Sequence, residues 1–209
     1  MLTKKQLTIW LDNDGVAKDD IEEAFKNKGF AQLGPKTPGM ERLAYNTFKE
    51  LMFISLHLFS KSSAKSMNGD GLPLRSELAG MAKGWIEEGK NSGLEIAIGV
   101  ITSNPTVDGG KLRSQFREAG VDVKVVHVKS NTAKGGYLNV QPGHNILVDD
   151  NYFSFLRLDT NRNSGIALRT DYTDMMRRFI VGVKGVENAN SLDDLDKIVR
   201  NHLRTLSTA

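Results

Sequence analysis

The sequence predicts an α/β fold, a parallel, doubly wound sheet with helices on its faces. Three observations predict it. Short apolar runs of strand length alternate with helix-patterned segments from residue 73 onward. Several of these runs end in polar, chemistry-bearing residues rather than in ordinary turn residues. One long segment directly after the first run, residues 17–71, carries no strand pattern and is expected to be a helical insertion.

Taken in order, residues 6–11 predict a buried strand. Residues 19–28 predict a short helix with Ile21, Ala24 and Phe25 on one face. Glycines and two prolines make 29–39 a loop. Residues 40–61 predict a long helix carrying Leu43, Thr47, Leu51, Ile54 and Leu58, and 60–71 a linker rich in Ser, Lys and Gly. A helix over 73–89 turns Leu78, Met81, Ala82, Trp85 and Ile86 inward and leads into a very apolar strand, 96–101. A helix over 110–119 stops at Gly120, as helices often stop at glycine. Strands follow at 121–128, 146–148 and 166–168. Residues 179–183 are read as completing the core, and Ser191 caps a last helix over 192–203.

Composition narrows the function classes. The chain has 209 residues, enough for one core domain with a smaller accessory segment. Apolar residues make up 39% and charged residues 25%, ordinary for a globular protein. The net charge of +3 gives a sequence pI near 9.0 without any basic block of the kind that marks a nucleic-acid-binding tail. The absence of cysteine excludes disulfides, thiolate metal sites and cysteine nucleophiles. Lys4 and Lys5 precede an apolar run that is short and contains aspartates, so no signal peptide is expected. The longest other apolar stretch, 51–59, is broken by Ser55 and His57 and falls short of the roughly 20 residues a membrane helix needs. A cytoplasmic location and no membrane partner are the expectation.

Four polar clusters carry the chemistry. Asp12 and Asp14 lie two apart, so on a strand they share a face and aim two carboxylates into one site. Thr102-Ser103-Asn104 follows an apolar strand, and so does Asp149-Asp150. Lys129 and Lys134 follow the third strand, 121–128. In a parallel sheet these strand ends meet at one edge, where open α/β folds bind ligands. Paired carboxylates at such an edge repel unless a divalent cation or phosphate chemistry occupies the site. Simpler readings exist for each cluster. Asp12 to Gly15 could be a surface turn, Thr102-Ser103 a helix cap, and Asp149-Asp150-Asn151 a helix start. A calcium loop fails, because Trp10 and Ile21 stand where it needs oxygen ligands. The four histidines show no metal-ligand spacing, and no G-x-S-x-G or P-loop motif is present.

These clusters, in this order, resemble the motifs of the haloacid dehalogenase superfamily of phosphotransferases over roughly residues 6–170. Asp12-Asn13-Asp14-Gly15-Val16 matches the first motif, Thr102 the second, a lysine the third and Asp149-Asp150 the fourth. The resemblance implies a Rossmann-like three-layer core, residues 1–16 and 72–209, with a helical cap at 17–71. It implies that Asp12 forms an aspartyl-phosphate, that Asp14 is acid and then base, and that Thr102, Ser103 and a lysine hold the phosphoryl oxygens. It further implies Mg²⁺ bound by Asp12, the carbonyl of Asp14 and the Asp149-Asp150 pair. Lys134 fits the order lysine, tyrosine, Pro-Gly through Tyr137, Pro142 and Gly143; Lys129, nearer the strand end, is the alternative. The text Thr102-Ser103-Asn104-Pro105 is most similar to the 5′(3′)-deoxyribonucleotidase branch. The implied substrate is a nucleoside monophosphate or another small phosphate ester, with Asn13 and Asn104 near it and Phe25, Phe30, Tyr45 or Phe48 of the cap stacking on a base. The alternatives are a phosphatase of nucleic-acid 3′ ends, which the weak basicity does not favour, a non-catalytic binding protein on the same fold, and phosphate transfer to an acceptor other than water.

Overall fold

A computed structural model of the chain describes residues 5–17, 74–105, 107–168, 183 and 185–208, with the side chains of Asp14 and Gly15 excepted. Residues 18–71 of the expected cap, including Phe25, Phe30, Tyr45 and Phe48, and residues 179–182 lie outside the described residues.

The first strand, β1 (Lys5–Asp12), is buried along its second half, and its side chains divide by the two-residue period of a strand. Leu7, Ile9 and Leu11 enter one apolar layer, while Trp10 enters the layer on the other face. A strand buried on both faces reads as an unbroken apolar run, which is the texture of a central parallel strand. The remaining strands are β2 (Leu94–Thr102), β3 (Val123–His127), β4 (His144–Asp149), β5 (Asn163–Leu168) and β6 (Val186–Ala189). They form a sheet in the order β3-β2-β1-β4-β5-β6, every pairing parallel. This is the Rossmann-like order that the alternating pattern predicts, and it reverses direction between β1 and β4.

Helices cover both faces. The layer around Leu7, Ile9 and Leu11 receives Leu78, Ala82 and Trp85 of α1 (Ser76–Asn91) and Leu112 and Phe116 of α2 (Gly109–Glu118). The opposite layer holds Trp10, Leu147 and Phe155 with Leu138 of α3 (Thr132–Asn139). The last helix, α4 (Leu192–Thr208), buries Leu195, Val199 and Leu203, a four-residue repeat that keeps one stripe on the first layer. Ser191 Oγ accepts from the Asp194 N–H at 3.1 Å, the expected N-cap. α2 is followed by Gly120 at φ 83°, a left-handed turn that glycine adopts without strain. Asp108, rather than Thr102 or Ser103, caps that helix.

Trp10 is accommodated by a neighbour without a side chain. A Cβ at Gly99, its register partner on β2, would stand 2.3 Å from the indole ring. The indole N–H donates to Asn145 Oδ1 at 3.1 Å, so its polar atom is satisfied in the interior.

The elements differ from expectation at their ends and in two additions. Strands β2, β4 and β5 begin two or three residues earlier than their apolar runs, because backbone pairing extends beyond those runs to Leu94, His144 and Asn163. α1 starts at Ser76 rather than 73, since Arg75 is extended and donates its N–H to the Ala17 carbonyl. α3 and β6 are the additions. Among the described residues, no helix is long and apolar enough to cross a membrane.

Candidate active site

The strand order reverses between β1 and β4, and a crevice opens beyond the carboxyl ends of strands at such a point. Asp12 is the last residue of β1 and Asp149 the last of β4. Between them stands Lys134, from the first turn of α3. Its Nζ is 2.7 Å from Asp12 Oδ1 and 2.7 Å from Asp149 Oδ2, and the side chain is fully buried. Burial alone would push the Lys134 ammonium down. The two carboxylates outweigh burial and hold it above the ordinary lysine value, so it stays charged.

α3 reaches this position because of the residue after the lysine. A Cβ at Gly135 would stand 2.6 Å from the Leu158 nitrogen and 3.0 Å from the Ser154 carbonyl oxygen. Any larger residue would push the helix off the 154–158 backbone and carry Lys134 away from β1 and β4.

Asp12, Asp149 and Asp150 are all buried, and each offers a carboxylate oxygen within 4.8 Å of the others. Asp149 is oriented from both sides: Oδ2 accepts from Lys134 and Oδ1 from the Asn151 N–H at 2.8 Å. Three buried carboxylates this close repel one another, and hard oxygen donors in such a set suit a divalent cation such as Mg²⁺. The donor set therefore fits the ion that the sequence motifs imply.

Thr102 closes β2, one residue beyond the register partner of Asp12, and is buried. Its Oγ1 accepts from the Asn104 N–H at 3.0 Å, which folds the 102–104 turn over the strand end. Ser103 Oγ donates to Asn131 Oδ1 at 2.6 Å. Asn13 is buried in the turn Asn13–Ala17 that holds Asp14, whose side chain lies outside the described ones. Asn104 is half-buried, and Lys129 is exposed on the segment after β3. Of the two lysines the sequence left open, Lys134 is the one brought to the carboxylates.

Sequence reasoning missed Asn131 and Gly135, and read Asn151 only as part of a possible helix start. Asn151 directly follows the acidic pair and accepts from the Phe153 N–H at 3.0 Å, capping the short turn Tyr152–Phe155. That cap residue was visible in the sequence as a helix-start signal. Asn131 and Gly135 had no comparable signal, since both matter through residues distant along the chain.

The fold and site define a Rossmann-like α/β protein with an aspartate–lysine–aspartate cluster at its sheet edge. No family model and no curated protein matches the chain. Solved structures similar to it include two hydrolases. One is a haloacid dehalogenase-superfamily hydrolase from Ehrlichia chaffeensis, 12% identical, covering 96% of this chain and 98% of that one, with a TM-score of 0.46. The other is a haloacid dehalogenase-like hydrolase from Streptococcus pneumoniae, also 12% identical, covering 95% of this chain and 100% of that one, with a TM-score of 0.48.

Proposed function

We propose that the chain is a Mg²⁺-dependent phosphomonoesterase that works through an aspartyl-phosphate on Asp12. The observation that carries this reading is the buried Asp12–Lys134–Asp149 arrangement, one ammonium 2.7 Å from each of two carboxylates at the switch point of a parallel sheet. Burying three ionised groups is costly, and such clusters concentrate where chemistry uses them.

Asp12 supplies the nucleophile: its carboxylate oxygen bonds to phosphorus as the ester P–O bond breaks. Lys134 pairs with the Asp12 carboxylate and offsets charge on the phosphoryl oxygens in the transition state. The Thr102 hydroxyl, one strand over, donates to a phosphoryl oxygen. Asp14 gives its proton to the leaving oxygen, then takes one from the water that attacks the phosphoryl group and releases inorganic phosphate. Asp12, Asp149 and Asp150 would hold the Mg²⁺, which when bound supplies positive charge beside the phosphoryl oxygens.

The substrate we assign is a small phosphate ester, with a nucleoside monophosphate as the first choice. The Thr102-Ser103-Asn104-Pro105 segment and the order Lys134, Tyr137, Pro142, Gly143 support that choice through their resemblance to the nucleotidase branch. The test is release of inorganic phosphate from a panel of nucleotides and sugar phosphates, with Mg²⁺ and with EDTA. Turnover should require the metal and fall by about 10³-fold or more in Asp12→Asn. Metal-independent turnover, or turnover that survives Asp12→Asn, would overturn the reading.

A further inference from the structure

We infer that Asn131 is a positioning residue, which ties the phosphate-side loop after β2 to the helix that carries Lys134. The inference rests on the phosphatase reading for its kinetic consequence, though not for its geometry.

α3 is a weak helix on its own terms. It has eight residues, Thr-Ala-Lys-Gly-Gly-Tyr-Leu-Asn, with two adjacent glycines at its centre. Helices this short are marginal in water, and glycine weakens them further. Its position must come from contacts with the rest of the chain. An asparagine preceding a helix ordinarily turns its side-chain oxygen back onto the free N–H groups of the first turn. Asn131 does not: it makes no side-chain cap bond, and its own backbone is already helical at φ −56°, ψ −43°. Its Oδ1 instead accepts the Ser103 hydroxyl at 2.6 Å, across 28 residues of chain.

Lys134 lies three residues on, and side chains three apart share a helix face. That face therefore makes two outward connections one turn apart: Asn131 to the loop carrying Thr102 and Ser103, and Lys134 to Asp12 and Asp149. The other end of the helix is anchored elsewhere. Asn139 Nδ2 donates to the Arg157 carbonyl at 2.7 Å, and Asn139 Oδ1 accepts from the Asp159 N–H at 2.9 Å. The other anchors of the helix, Gly135, Leu138 and Asn139, all lie on the carboxyl-terminal side of Lys134, and about them the first turn of α3 would pivot. The Ser103–Asn131 bond blocks that pivot and fixes the ammonium against the carboxylates. Two asparagines thus bracket one short helix, and their consequences should differ.

The experiment compares Asn131→Ala, Ser103→Ala, their double variant and Asn139→Ala in the full chain, with p-nitrophenyl phosphate and Mg²⁺ as the probe. Thermal midpoints and the ¹H–¹⁵N signal of the Lys134 ammonium are recorded on the same proteins. Asn131→Ala should lower kcat by about 10- to 100-fold, with KM within about 2-fold, because small misplacements of a charge-stabilising group cost rate rather than binding. Ser103→Ala should do the same, and the double variant should lose little more. Asn139→Ala should lower the thermal midpoint at least as much as Asn131→Ala while leaving kcat unchanged. The Lys134 signal should move in Asn131→Ala and stay in Asn139→Ala. A kcat that holds in Asn131→Ala, or one that falls equally in Asn139→Ala, would overturn the inference. If the native chain does not turn over the probe, the phosphatase reading is what fails for that substrate. The ammonium signal then decides the positioning role alone: an unmoved signal in Asn131→Ala overturns it.

Discussion

Among the described residues, two places set one cation between two carboxylates, and they are housed very differently. At the sheet edge, Lys134 lies between Asp12 and Asp149, with side-chain exposures of 0%, 9% and 0%. On the seam between α1 and α4, Arg200 lies between Glu88 and Asp196, with exposures of 32%, 23% and 27%. The seam triad is fastened to the core by Trp85, whose indole N–H donates to Asp196 Oδ1 at 2.7 Å. Hydrogen bonding to Asp196 holds the Arg200 guanidinium above its ordinary value, and water shares the remaining charge. A half-exposed triad can form because it costs little, and for the same reason it contributes little. The buried triad has no water to share its charge, so each member depends on the other two. The lesson is that the arrangement of charges alone does not mark a site; the arrangement together with its burial does.

The largest effect should come from breaking the buried triad. Lys134→Ala leaves Asp12 and Asp149 facing each other in the interior without their ammonium. Losing one partner of a buried ion pair costs about 3–5 kcal/mol, and urea denaturation of metal-free protein should show a loss of that size. Adding Asp149→Asn should recover part of it, because the amide removes one of the facing charges. A loss below about 1 kcal/mol in Lys134→Ala would mean that the triad behaves like a surface pair, and the contrast between the two regions would disappear.

The same contrast explains what the sequence disclosed and what it withheld. Strands β1, β2 and β4 were legible because strands buried on both faces are written as continuous apolar runs, and their ends show as the point where polarity returns. Asp12, Thr102, Asp149 and Asp150 stood out as polar residues at such points. β6 escaped notice, since Val186-Glu187-Asn188-Ala189 is an edge strand with two of its residues exposed and no run to see. α3 escaped because its glycines and thin apolar content argue against a helix; it is held by Ser103, Leu158 and Arg157, none of them near it in sequence. The choice between Lys129 and Lys134 stayed open for the same reason. A lysine tip is placed by the element that carries it, and that element's position is set by tertiary contacts.

The seam triad should give a smaller response. Arg200→Ala should cost no more than about 1 kcal/mol, and the difference from the native chain should shrink as salt is raised. Denaturation at low and high ionic strength measures both quantities. A salt-insensitive loss of several kcal/mol would show that partial exposure does not protect the fold, and that the seam carries as much energy as the site.

The smallest expected effect lies at the amino-terminal edge of the sheet, where two histidines face each other instead of a cation facing carboxylates. His144 opens β4, half-buried, with Nε2 3.0 Å from Ser164 Oγ and its ring 6.5 Å from that of His202. His202 in turn meets Glu187 Oε1 at 2.6 Å. Burial first, and the charge of His202 second, hold His144 below its ordinary value of 6.5, against a weaker opposing hydrogen bond to the Arg162 backbone. The sign follows directly. Between the lowered folded value and the ordinary unfolded one, the unfolded chain binds more protons, so stability rises with pH across that window. The contribution is complete above about pH 6.5 and is lost as the pH falls through the folded value. Replacing the imidazole by a neutral amide that can still bond Ser164, as in His144→Gln, removes this proton uptake while keeping the polar contact at the start of β4. Between about pH 7 and pH 5 the urea midpoint of the native chain should therefore fall more steeply than that of the variant. Parallel slopes would mean that His144 is as easily protonated in the folded chain as in the unfolded one, and that two imidazoles at 6.5 Å, unlike two carboxylates around a buried lysine, leave no electrostatic mark on the fold.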